Sequence, residues 1–259
     1  MTEKTTNNTA QFAGRPLFFN RMMTLDREVH ANLKIDTNAG FAFAANTHII
    51  PISIFEFRFV ARHFPIIFSN EPIPMPLAVV GVEIGKNLLV DSEGKWRLRT
   101  YIPGCVHTYP FILTQAAPGS AETAVVIDPD APNLGDKGEA LFVDGKATPV
   151  LDRMLQLTSY FRAGMQKTIA FGKMIAEADL LTRRGVELTL LDGTQFRYDN
   201  MLVLDPEKID KVANNIFLRW RKEGWLLPIY QYLQSIDSWS PLADIENDRR
   251  VAAAAAAKA

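Results

Sequence analysis

Cysteine is nearly absent: Cys105 is the one thiol in 259 residues. No intramolecular disulfide can form and no cysteine-based zinc cluster can be built, a pattern that suits a reducing compartment. An excess of charge of one sign is missing too. The 28 basic residues are matched by 29 acidic ones, for a formal net charge of −1. A phosphate backbone is usually met by a clear basic surplus, so no nucleic acid partner is expected. The pairs Arg183-Arg184 and Arg249-Arg250 are too short to alter that. No apolar run reaches the roughly 18–20 residues of a membrane-crossing helix, so no membrane span is expected. The opening MTEKTTNNTAQ has no apolar core of a secretory signal. That points to the cytoplasm, although export without a cleaved signal is compatible with the same residues.

Reaction signatures are missing as well. There is no Gly-x-Ser-x-Gly elbow, no Walker loop, no Gly-x-Gly-x-x-Gly and no His-Glu-x-x-His. The glycines around Gly81-Val82-Glu83-Ile84-Gly85 precede no helix start and so offer phosphate no cradle. No cofactor is implied, and whether the chain is an enzyme is left open.

What is present is a soluble composition, 47% hydrophobic and 22% charged, long enough to bury a core. Residues 1–15 are polar and read as a disordered N-terminus. Residues 16–147 alternate short apolar runs with Gly, Pro, Asn and Asp, the pattern of a β-rich subdomain. Strands are expected over residues 30–36, 66–69, 77–84, 88–91, 96–100, 111–115, 123–127 and 140–143. Turns are expected at Asp91-Ser92-Glu93-Gly94 and at Asp144-Gly145. A short amphipathic helix fits Ile54 to Arg62 before Pro65. Pro72, Pro74 and Pro76 read as a stiff linker unable to pair as a central strand.

From Thr148 the periodicity becomes helical. Thr148-Pro149 predicts a helix start, and an apolar stripe runs from Leu151 to Leu181 with a kink allowed at Gly164. Residues 186–196 predict a hairpin about Asp192-Gly193. Asp205-Pro206-Glu207 predicts another helix start, with an apolar face ended at Gly224. Pro228 opens a last helix. Residues 148–246 thus form a helical subdomain with a hairpin, and 247–259 an alanine-rich tail. The fold class is α+β, an antiparallel β-rich N-terminal half packed with a mainly helical C-terminal half containing one hairpin.

Trp96, Tyr101, Tyr109 and Phe111 lie within sixteen residues, with Pro103 and Pro110 stiffening the chain between them. They read either as an aromatic groove for a peptide, glycan or partner protein, or as an ordinary β-core. The ligand-binding candidates are Trp96, Tyr101, His107 and Tyr109, joined by Glu56 should they converge on one cavity. Cys105 and His107 share a face if that stretch is a strand. A metal site drawn from His48, Glu56, His63 and His107 would need tertiary folding, and gives the alternative of a metal-dependent oxygenase or hydrolase. The loop Asp128-Pro129-Asp130-Ala131-Pro132-Asn133 lacks regular calcium-ligand spacing and reads as a solvated turn.

A family likeness rests on ordered motifs. These are Glu56-Phe57, Phe64-Pro65-Ile66-Ile67-Phe68, Gly85-x-Asn87-Leu88, Gly94-x-Trp96, Tyr101-Ile102-Pro103 and Tyr109-Pro110-Phe111. They continue through Val126-Ile127-Asp128, Leu141-Phe142, Asp192-Gly193 and Ile229-Tyr230-x-Tyr232-Leu233-x-Ser235. From about residue 16 to 245 the chain resembles the SapC family of bacterial proteins. The resemblance implies a role in surface-layer assembly or export, near gene neighbours that include cupin-like proteins, halogenase-like flavoproteins and outer-membrane receptors. It carries no established catalytic residues.

Overall fold

The computed structural model of the chain describes residues 15–116, 120 and 122–256. The expected disordered N-terminus therefore lies outside the described residues, apart from Arg15. The chain is α+β, about 36% helix and 22% strand, with a strand-rich N-terminal half and a helical C-terminal half. It divides into two compact units, each assembled from separated stretches of chain. Of the described residues, one takes Asn46–Leu88 and 167–256; the other takes 15–45 together with Leu89–Gln166.

The first unit holds a five-stranded antiparallel sheet in the order Leu181–Thr189, Gln195–Leu204, Ile66–Phe68, Pro76–Val79, Ile49–Pro51. Its interior strands Ile66–Phe68 and Pro76–Val79 are apolar and buried at every position because both faces are covered. Ile49, Ile67, Leu77 and Val79 pack with Tyr198, Met201 and Leu242. On the opposite face Phe68 meets the Tyr232 ring at 5.4 Å, and the Ile66 N–H donates to Ser235 Oγ. Leu242 comes from helix Trp239–Ala256, and Tyr232 and Ser235 from helix Leu226–Ser235.

Two expectations need correction here. Pro76 does pair, opposite Phe68 in an interior strand. It stands at the strand's first residue, where a missing N–H costs the ladder nothing, and its carbonyl accepts from Ile52 N–H. The helical stripe also stops early: the long helix Pro149–Glu177 runs unbroken through Gly164 and ends before Leu181, which opens the hairpin. The Asp192-Gly193 hairpin forms and is longer than expected. Asp205 caps Pro206–Asp210 by accepting from Glu207 N–H, and Gly224 closes Asn214–Glu223 in the left-handed conformation at φ 81°.

In the second unit, Met23–Thr24, Thr123–Ile127 and Phe111–Gln115 form one antiparallel sheet. Leu134–Gly135, Lys34–Ile35 and Glu139–Ala140 form another. Asp144 and Gly145, both at positive φ, join Phe142–Val143 to Lys146–Ala147 as the turn signal predicts. Ile35, Phe111, Ile127, Leu141, Val150 and Leu151 make the core. The expected strands over 88–91 and 96–100 shrink to a single bridge between Val90 and Trp96. The turn between them is tight nevertheless, because Asp91 Oδ1 accepts from the N–H groups of Glu93 and Lys95. Residues 30–36 contribute only Lys34–Ile35 to a sheet.

Candidate functional site

A cleft of about 510 Å³ opens in the second unit. Its walls come from three stretches: residues 35–43, residues 95–109, and the face of the long helix carrying Met154 and Leu157, with Asn133 added from the 128–133 loop. The first two are held together by backbone. Phe41 N–H donates to the Gly94 carbonyl at 2.6 Å. Gly40 permits this approach: its φ is +74°, and a Cβ there would fall 2.7 Å from Gly94 O. Phe41 is thereby set edge-on to the Trp96 indole at 5.8 Å and to the His107 ring at 6.5 Å.

Of the five candidate residues, Trp96, His107 and Tyr109 line this cleft. Thr100 and Ile102 line it as well, whereas Tyr101 between them is not part of the wall. Glu56 belongs to the other unit. Its buried carboxylate accepts from the Ser53 N–H at 2.7 Å and closes a capping box on the first helical turn there.

Trp96 is only 7% exposed, and its indole Nε1–H has no hydrogen-bond partner among the described residues. The same holds for the buried Oδ1 of Asn133. One donor and one acceptor among the cleft-lining residues are thus left unsatisfied, which costs stability. Tyr109 is better provided for. Its hydroxyl donates to Asp128 Oδ2, and burial together with the Asp128 charge raises its pKa. Around it Phe18, Phe19 and Phe43 pack as an aromatic cluster, Phe43 with its centroid 4.3 Å from the Tyr109 ring.

The solvated-turn reading of the 128–133 loop fits exposed Asp130 but not Asp128, which has no accessible surface. Its carboxylate accepts from Asn20 N–H, Arg21 N–H, Asp130 N–H and Tyr109 O–H, and so holds the loop beside the cleft. His107 keeps an exposed edge, yet the protein mass around it disfavours the charged ring and lowers its pKa. The exposed rim of the cleft is basic: Lys95, Arg97 and Arg99 line it, against one acid, Asp36.

Residues 104–108 form a helix, not a strand. Two residues along a helix are turned by roughly 200°, so Cys105 and His107 do not share a face. The proposed metal ligands are dispersed. His48 Nδ1 accepts from Gly85 N–H and His63 lies against the Phe64 ring, both in the unit that lacks the cleft. Among the described residues no group of three or more His, Cys, Asp or Glu is placed to hold a metal ion. No helix of the described residues is long and apolar enough to cross a membrane.

The sequence model of one family, SapC, matches residues 25–242. The chain belongs to the SapC family. Neither the curated proteins nor the solved structures contain a match to it. The part shared with SapC proteins takes in every residue that lines the cleft. Several of these carried no signal in the sequence: Asn133 reads as a turn residue, and Arg97-Leu98-Arg99 as the end of a strand. Gly40-Phe41-Ala42-Phe43 was the missed clue, a glycine beside two alternating aromatics.

Proposed function

We propose that this SapC-family chain is an accessory binding protein that holds a peptide, glycan or partner-protein segment in the cleft walled by Trp96, His107 and Tyr109. The observation that carries the reading is that two residues lining the cleft, Trp96 and Asn133, each bury a polar atom, Nε1–H and Oδ1, with no partner among the described residues. Buried polar groups are rarely left unpaired; among the described residues of this unit both such atoms belong to cleft-lining residues, while Trp220 Nε1 and Glu246 Oε2 are left so in the other unit. The volume is that of a small-ligand or side-chain site, mostly apolar with a few polar groups. Family membership supports a role in surface-layer or outer-membrane-associated processes.

The test separates ligand contact from packing. Alanine at Trp96 would empty a buried site and cost about 3–5 kcal/mol on packing alone, so Trp96→Phe and Asn133→Leu are the informative variants. Immobilised full-length chain is challenged with a random peptide library and with a glycan array. A ligand lost in both variants, with Tm moved by less than about 4 °C, carries the reading. Binding that survives both changes, or no binding from either collection, sinks it.

A further inference from the structure

We infer that the cleft receives the free C-terminal end of a peptide with an apolar last side chain, a refinement that rests on the binding reading above. Two residues that line the cleft each bury a polar atom without a partner among the described residues: the Nε1–H of Trp96 and the carbonyl oxygen Oδ1 of Asn133. A peptide group carries one acceptor and one donor, the complement of that pair.

Charge then selects the end of the chain over its middle. The rim holds three cationic side chains and one carboxylate. Lys95 donates to Glu93 at 2.5 Å, while Arg99 makes no ion pair among the described residues. Arg99 also holds a left-handed backbone, φ 63°, a conformation unfavourable to arginine and tolerated where the surroundings impose it. A guanidinium fork matches a carboxylate with two parallel hydrogen bonds. An internal peptide group brings no charge to such a fork; a terminal carboxylate does. Ile35, Ile102, Val106 and Met154 supply an apolar wall for the last side chain.

The experiment compares peptides randomised over their last few residues, made both as free acids and as C-terminal amides, on immobilised full-length chain. The variants are Arg99→Asn, which removes the charge with a residue that tolerates left-handed backbone, and Trp96→Phe with Asn133→Leu beside it. Free acids ending in an apolar residue are expected to be retained about tenfold more tightly than their amides. That advantage should fall below about threefold in Arg99→Asn, and the other two variants should weaken acids and amides alike. Equal retention of acids and amides, lost in Trp96→Phe and Asn133→Leu, overturns the chain-end inference and leaves the binding reading standing. Retention no better than in those two variants overturns both. Competition by 3-phenylpropanoate at the peptide's own affinity would assign the cleft to a small carboxylic acid and overturn a peptide as its occupant.

Discussion

Single residues do most to shape the cleft, and Asp128 does so without touching its contents. It is buried with no accessible surface, and four donors converge on its two oxygens. Asp128→Asn keeps the shape but turns one acceptor into a donor facing donors, and should cost roughly 2–3 kcal/mol in denaturant unfolding. Tyr109→Phe removes one of the four donors and should cost about 1 kcal/mol. An Asp128→Asn loss smaller than the Tyr109→Phe loss would mean the carboxylate is not the organising group. Gly40 offers a second measurement. Gly40→Ala pushes a Cβ against the Gly94 carbonyl at positive φ and should cost about 1–3 kcal/mol, loosening Phe41 from Trp96. Gly135→Ala, with nothing within 4 Å of the new atom, should stay within about 0.5 kcal/mol of wild type. Equal effects from the two changes would remove the close approach as the cause. At this scale the sequence was legible where chemistry is local. Asp144-Gly145 and Asp205 act as turn and cap through their own backbone neighbourhood. It was illegible for Asp128 and Asn133, whose roles depend on partners about a hundred residues away or on a wall that no local pattern describes.

Elements follow the same division between local and tertiary causes. Phe111–Gln115 and Thr123–Ile127 have the bounds their apolar runs imply, since each pairs with the other in full register. Residues 88–91 and 96–100 have comparable patterning but end as one bridge, because beyond Trp96 the chain turns out to the exposed rim of the cleft, where Leu98 is 88% exposed. A strand pattern there records apolar spacing without a neighbour to pair with. The helix Gly104–Thr108 went unread for a related reason: five residues between prolines show no period. The first turn beginning at Ile54 gives the element-scale prediction. Its capping box uses the buried Glu56 carboxylate on Ser53 N–H, and Thr168 Oγ1 accepts from Ile54 N–H. Glu56→Ala should therefore destabilise by about 1–3 kcal/mol, read as a shift in the urea midpoint at unchanged slope. Because Glu56 lies in the unit without the cleft, peptide retention per folded molecule should be unaltered. Loss of retention at full stability would instead place Glu56 among the ligand contacts.

For the whole molecule, which stretches of chain belong together is the property furthest from any local pattern. Each unit is built from separated segments, and Pro149–Glu177 gives its earlier residues to one and those from Lys167 on to the other. Periodicity finds the helix but cannot say that its two ends serve different cores. A property that sums over both units is the pH dependence of stability. His48 and His107 have pKa values lowered from 6.5 by burial, and His63 by burial and the nearby Arg62 charge. The folded chain binds these protons less readily than the unfolded chain does, so acid favours unfolding. Their contribution is complete above the ordinary histidine value and is lost as pH falls from about 6.5 through the lower folded values. Asp192 behaves differently. The Thr194 hydroxyl and N–H and the Arg250 guanidinium hold its pKa down at about 2, below the ordinary 3.8. Its contribution is therefore present above 3.8 and lost only as pH falls towards 2. Unfolding free energy measured from about pH 7.5 down to about pH 5 should decline in the histidine window. His48→Gln, which keeps an acceptor for Gly85 N–H, should flatten that decline. A slope unchanged in His48→Gln would show that the unfolded and folded chains hold this proton equally, and a stability that rises on acidification would reverse the sign of the burial effect for all three rings.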